Sequence, residues 1–344
     1  MLISDFDFAL PEELIAQTPL ERRENSRMLV VNRASQNFEN EHFYNFPNFL
    51  KEDDVLVLNN TKVFPARLVG QSETGAKVEV FLVREIENGV WETLARPARR
   101  LKAGKRIVFD ENLCAEVLDK TTEGRVVVKF ETAENFDDVL ERVGRTPLPP
   151  YIKRDDAENM NADKERYQTV FAKERGAIAA PTAGLHFTPE VLEAVKMRGA
   201  QILEITLHVG YGTFEPVRVS DLSNHTVAAE TCEITTDAAE ILNRAKSERR
   251  RIVAVGTTTT RALESFTDDA GNVLSGKRAA DLTVTPGYKF KTVGALLTNF
   301  HLPQSSLLVL VSTFAGRELI MNAYRHAVDA RYRFYSYGDC MLVV

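Results

Sequence analysis

Three histidines, His186, His208 and His301, each stand among small or hydroxyl-bearing residues rather than inside an apolar periodic run. Imidazole titrates near neutrality, so each is a candidate general acid or base. His186 falls in residues 176–188, G-A-I-A-A-P-T-A-G-L-H-F-T. Pro181 fixes φ and Gly184 releases it, so 181–184 reads as a turn that presents its side chains rather than burying them. Thr188-Pro189-Glu190 follows as an N-cap with Pro at the first helical position. His186 is thereby expected beside a helix N-terminus, where polar and anionic groups are favoured. The three histidines lack i, i+4 or other ligand spacing, so no metal is expected.

Chemistry of this kind needs elements that converge. Four apolar runs end in small or polar clusters: Asn59-Asn60-Thr61 after 54–58, His208-Val209-Gly210-Tyr211-Gly212 after 201–207, Gly256-Thr257-Thr258 after 251–255, and Thr298-Asn299-Phe300-His301 after 295–297. Such runs read as buried strands, the second of them predicted over 201–209, and alternate with helical spacing at 191–198 and 236–249. The pattern predicts an α/β sheet with helices on its faces. Ligands of open α/β sheets gather at the carboxyl ends of strands, so one shared pocket is the economical expectation. The chain lacks G-x-G-x-x-G, G-x-x-x-x-G-K-[ST] and G-x-S-x-G, which argues against a dinucleotide enzyme, a P-loop NTPase and an α/β-hydrolase.

Between residues 65 and 150 the texture changes. Six short strand-like runs, 66–70, 77–83, 91–95, 106–109, 114–118 and 125–130, follow without intervening helices, with Asn88-Gly89 and Glu123-Gly124 as hairpin turns. This is the pattern of a small all-β barrel or sandwich. The expected organisation is a discontinuous α/β domain, 1–64 and 151–344, carrying an inserted β-barrel at 65–150. Inside the insert, Arg96, Arg99, Arg100 and Lys102 form a basic run that suits phosphate contacts with nucleic acid. Arg249-Arg250-Arg251 instead ends a helical segment, where cations suit the dipole.

With 344 residues, 44% hydrophobic and a net charge of −6, the chain fits a two-domain globular protein that is not coated in nucleic acid. No apolar run is long enough for a membrane span, and the start, M-L-I-S-D-F-D, lacks the basic opening of a signal peptide. Three widely separated cysteines read as reduced thiols. A cytoplasmic monomer is expected. Residues 11–17 read as a short opening helix. The aromatic 331–343 segment ends in an apolar strand, so the C-terminus is expected to dock in the core.

The motifs L-I-A-Q-T-P (14–19), N-N-T-K-V (59–63), A-P-T-A-G-L-H-F-T (180–188), H-V-G-Y-G-T-F (208–214), V-G-T-T (255–258), T-N-F-H-L-P (298–303) and Y-S-Y-G-D (335–339) together resemble the S-adenosylmethionine:tRNA ribosyltransferase-isomerase family. They span essentially the whole chain in order. Departures are local: Gly176-Ala177-Ile178 stands in place of Gly-Ser-Val, and Asn224 to Glu230 in place of a Met-His-Ser-Glu run. The resemblance implies transfer and isomerisation of the ribosyl moiety of S-adenosylmethionine onto 7-aminomethyl-7-deazaguanine at the tRNA wobble position. The products are epoxyqueuosine, adenine and methionine. It implies S-adenosylmethionine as co-substrate and no permanently bound cofactor. His186, His208 and His301 are then candidate proton-transfer groups. Thr182, Gly184, Gly210, Thr257, Thr258, Asn299 and Tyr337 are candidates to hold S-adenosylmethionine, and Arg96, Arg99, Arg100 and Lys102 to meet tRNA phosphates. A non-catalytic RNA-binding protein and a methyltransferase are the competing readings. The strand-end clusters weigh against the first, and the missing glycine-rich cofactor loop against the second.

Overall fold

The computed structural model describes residues 1–122, 124–154, 160–214 and 216–344. Its strands are β1 (Arg27–Asn32), β2 (Asn37–His42), β3 (Val55–Asn59), β4 (Thr61–Val63), β5 (Arg67–Ser72), β6 (Lys77–Glu87), β7 (Val90–Arg96), β8 (Arg106–Asp110), β9 (Leu113–Lys120), β10 (Val126–Glu131), β11 (Glu174–Ala177), β12 (Gln201–Leu207), β13 (Glu230–Ile234), β14 (Ile252–Val255), β15 (Gly276–Ala280), β16 (Ala295–Asn299) and β17 (Cys340–Val343). Its helices are α1 (Phe136–Val143), α2 (Met160–Arg166), α3 (Pro189–Met197), α4 (Thr236–Ser247), α5 (Thr257–Ser265), α6 (Ser306–Ala315) and α7 (Arg317–Asp329).

Among the described residues, one nine-stranded sheet runs in the order β15-β13-β12-β3-β14-β16-β17-β1-β2. Its middle, β12, β3, β14 and β16, is parallel. β3, β14, β16 and β17 are buried along their whole length. Continuous apolar runs are what a sheet covered on both faces requires. Alternate residues feed two cores. Val55, Val57, Ala254 and Leu296 pack with α4 to α7 on one face. Leu56, Leu58, Val253, Val255 and Leu297 pack with Phe187 and α3 on the other.

Strands β5 to β10 close into an antiparallel barrel in the order β10-β7-β6-β5-β8-β9. Its interior is filled by Leu68, Val80, Leu82, Ala115, Val117, Val126 and Val128, and closure removes exposed sheet edges. Of the expected Glu123-Gly124 turn, Glu123 lies outside the described residues. The helix α1 after the barrel was not expected. Its Asn135 cap accepts from the Asp137 and Asp138 amides, and Val139 and Leu140 plug the barrel core.

Other departures have plain causes. The opening helix expected at 11–17 is only a 3₁₀ turn, Glu12–Leu14, because Ile15 and Ala16 pair with Phe334 instead. The run 54–61 divides at Asn60: β3 stays in the sheet while β4 leaves it to pair with β11. The strand predicted over 201–209 stops at Leu207. The Thr257–Thr260 run is helical despite its β-branched residues. Thr259 and Thr260 return their hydroxyls to the Val255 and Gly256 carbonyls, and burial decides the rest. The C-terminus docks as β17 between β16 and β1. No single helix among the described residues is long and apolar enough to cross a membrane; α6 and α7 turn through 119° at Gly316, whose φ is 94°.

Candidate active site

Because β12, β3, β14 and β16 are adjacent and parallel, the four clusters predicted at strand ends lie along one edge of the sheet. β1 and β17 run the opposite way beside β16, so their first residues reach the same edge. Ser26 and Asp339, which directly precede those strands, are thereby delivered to it.

A narrow pocket opens there, with about 50 Å³ of room for water-sized molecules. Thr182, Thr257, Thr258, Asn299 and His301 line it, five of the residues predicted for the site, together with Tyr167, Tyr335 and Ser336. Gly256, at φ 95°, makes the sharp turn from β14 into α5 and leaves the first turn of that helix facing the pocket without a side-chain cap. A helix N-terminus so placed favours negative charge.

The 181–184 segment is not the exposed turn expected from its Pro and Gly. Thr182–His186 is a 3₁₀ helix, and Ala183 to His186 are buried against Phe171, Phe187 and the end of β16. Gly184 is needed for packing: a Cβ there would lie 2.7 Å from the Phe171 ring. His186 contacts Ser26 Oγ through Nδ1 at 2.7 Å and the Asn299 amide nitrogen through Nε2 at 3.1 Å. Burial lowers its pKa to about 4. His301 is equally enclosed, with Nε2 2.9 Å from Thr298 Oγ1, and burial lowers its pKa to about 3. Both are neutral at physiological pH. Tyr337 lies beyond the pocket, beside His186 in a smaller cavity, with its hydroxyl 3.3 Å from Asp163. Asp339 is tied to Arg27 and to the Arg333 amide.

The His208 cluster opens elsewhere. His208 and Gly210 line a wide cleft of about 1050 Å³ between the sheet and the barrel, whose barrel wall includes Trp91, Arg125 and Phe136. The clusters therefore divide between two cavities rather than sharing one, and the two adjoin at Val209. Asn59 and Asn60 line neither; they hydrogen-bond β12, Asn59 to the Leu207 backbone and Asn60 to Glu204 and Thr206. Thr61 Oγ1 lies 2.8 Å from His208 Nδ1 and 3.4 Å from the Glu174 carbonyl. With the hydroxyl proton directed to that carbonyl, His208 donates from Nδ1 and keeps a lone pair on Nε2, which has no partner among the described residues. Burial, then the charge of Lys277, lowers its pKa. Gly176 makes room for the ring: a Cβ there would lie 2.7 Å from it. Gly210 donates its amide to Glu230, which pairs with Arg261 at 2.8 Å in a fully buried ion pair.

Arg96, at the end of β7, and Arg99, Arg100 and Lys102, on the β7–β8 connection, are exposed, and their side chains form no ion pair among the described residues. Lys120 bridges this loop, at Ala98, to the β9–β10 hairpin, where Thr121, Thr122 and Arg125 line the cleft. None of the four basic residues lines the cleft itself. Sequence reasoning missed Ser26, Tyr167, Trp91 and the Glu230–Arg261 pair. Their partners are 31 or more residues distant or supplied by the barrel, and none sits in a local pattern. No cluster of three or more metal-ligating side chains occurs among the described residues.

Residues 3–343 match the family described as Queuosine biosynthesis protein. A relative from Desulforamulus reducens named S-adenosylmethionine:tRNA ribosyltransferase-isomerase is 48% identical over 346 residues, covering 100% of both chains. One of the same name from Desulfitobacterium hafniense is 49% identical with the same coverage. A crystal structure described as S-adenosylmethionine tRNA ribosyltransferase from Thermotoga maritima is similar at a TM-score of 0.56 and 36% identity, covering 99% of this chain and 100% of that one. With similarity running from end to end and over both the sheet and the barrel, the chain belongs to the queuosine biosynthesis protein family.

Proposed function

We propose that this chain is an S-adenosylmethionine:tRNA ribosyltransferase-isomerase that moves the ribosyl part of S-adenosylmethionine to the aminomethyl group of 7-aminomethyl-7-deazaguanine at the tRNA wobble position. Epoxyqueuosine, adenine and methionine are the products. The observation that carries the assignment of parts is the junction at Val209 between a narrow strand-end pocket and a wide cleft that holds His208. S-adenosylmethionine enters the narrow pocket, and the modified base approaches through the cleft.

The sulfonium acidifies the adjacent C5′ hydrogens, so the reaction needs a proton acceptor; the attacking ammonium must also lose a proton. Of the three candidate histidines, we assign proton acceptance to His208, whose Nε2 is open to the cleft. His186 and His301 are given positioning roles, because each is enclosed and neutral. Adenine departs with the electrons of its glycosidic bond, and the α5 N-terminus favours that developing negative charge. Residues 65–150 act as one inserted unit whose basic loop meets tRNA phosphates. The protein works as a monomer in the cytoplasm, where tRNA is.

Incubation with S-adenosylmethionine and tRNA carrying the modified base should release free adenine without methyl transfer. Methylated tRNA, or no adenine, would overturn the assignment. His208→Ala should lower kcat by about 10²–10⁴ at saturating substrates. Reversing Arg96, Arg99 and Arg100 to Glu should weaken tRNA binding and flatten its log–log salt slope by about 3; an unchanged slope would remove the loop from the interface.

A further inference from the structure

The narrow pocket contains one buried polar atom with no hydrogen-bond partner, Asn299 Oδ1, and is also lined by Tyr167, whose hydroxyl meets the Ala180 backbone and Ser336. Asn299 is 2% exposed and Tyr167 1%. An orphaned acceptor this deep is costly unless a ligand completes it. The Asn299 orphan is held in place by a directed chain. The Ser26 hydroxyl gives its single proton to the Arg23 carbonyl at 3.1 Å. It therefore accepts from His186 Nδ1–H, which leaves Nε2 as an acceptor for the Asn299 amide N–H. The same amide nitrogen faces the Asp339 carbonyl at 3.5 Å, so turning the amide over would set two acceptor oxygens against each other. Asn299 must then keep its carbonyl free as an acceptor. Burial raises the Tyr167 pKa far above neutrality, so its hydroxyl stays protonated and can donate.

We propose that the narrow pocket is the adenine subsite, in which Asn299 Oδ1 accepts from the exocyclic 6-amino group while the Tyr167 hydroxyl donates to a ring nitrogen. Ser26 and His186 are positioning residues that fix the amide's orientation. Free room of about 50 Å³ is too little for a whole nucleoside. The walls, Ala179, Ala180, Ala183, Val209 and Phe300, are apolar and suit a flat ring. This inference rests on the proposed use of S-adenosylmethionine and adds which atoms read its base.

The test compares S-adenosylmethionine with its analogue lacking the 6-amino group and its 6-oxo analogue, each with modified tRNA. Wild-type kcat/KM should fall about tenfold for the first and about a hundredfold for the second, whose oxygen would face the Asn299 carbonyl. In Asn299→Ala the amino and deamino substrates should become equivalent. In Tyr167→Phe both should fall equally, since both keep the ring nitrogens. Ser26→Ala should shrink the amino/deamino ratio, and Ser26→Thr should restore it, an effect that loss of fold would not mimic. A wild-type enzyme that does not distinguish the analogues would overturn the subsite without any variant having to fold. So would an Asn299→Ala enzyme that still distinguishes them. An unchanged ratio in Ser26→Ala would overturn the positioning chain. Failure of the wild type to use S-adenosylmethionine at all would instead refute the proposed reaction.

Discussion

Folding holds His186 and His301 as neutral imidazoles whose Nδ1 or Nε2 atoms are already engaged, so acid should unfold this protein through them. From an ordinary value of 6.5, burial takes His186 to about 4 and His301 to about 3. Between 6.5 and those values the unfolded chain holds up to two protons that the folded chain refuses. Stability from this source is fully present above pH 6.5 and is lost as pH falls toward 4. Going from about pH 7 to about pH 5, the unfolded state gains about 2 kcal/mol at each histidine, about 4 kcal/mol together. Most carboxylates protonate below this window, which separates the two effects. The assay is urea unfolding followed by far-ultraviolet circular dichroism at several pH values, for wild type, His186→Gln and His301→Gln. Each variant should lose about 2 kcal/mol less than wild type across the window, whatever its stability near neutrality. Variants whose stability falls as steeply as wild type would show that these imidazoles accept protons in the fold, and the positioning role given to His186 would go with that.

Two further outcomes follow from packing. Gly176→Ala should displace the His208 ring, since the new Cβ would lie 2.7 Å from it. Turnover should fall by about tenfold or more, because a misplaced catalytic group is costly; full turnover in the folded variant would separate His208 from the chemistry. Arg261→Met should destabilise by about 3–5 kcal/mol, because it removes the guanidinium that pairs the buried Glu230 carboxylate. Replacing both, as Glu230→Leu with Arg261→Met, should recover part of that loss in the same unfolding assay, and a double variant no more stable than the single would refute the pairing argument.

Residue patterns alone carried far. The apolar runs 55–58, 252–255 and 295–297 are buried strands because only a sheet covered on both faces tolerates such runs. The six short runs between 65 and 150 were legible as strands of a barrel or sandwich, and their pairing closes them into the barrel. Thr188-Pro189 begins α3 as local capping chemistry requires, with Thr188 Oγ1 accepting from the Val191 amide. The helices at 136–143 and 257–265 were less legible: the first is stabilised by plugging the barrel, the second by total burial, and neither advantage is written into its own residues.

The site divides in the same way. That four strand ends would carry polar clusters is a property of the chain, and so is the presence of three candidate histidines. Which histidine stays open is a property of the packing. His186 meets Ser26 across 160 residues and Asn299 across 113, and only the antiparallel placement of β1 and β17 beside β16 brings those groups to one edge. Burial then makes His186 and His301 neutral, while the barrel standing off the sheet leaves His208 facing a cleft. Hydrogen-bond direction and desolvation depend on what surrounds a group in space, and those surroundings come from segments far away along the chain.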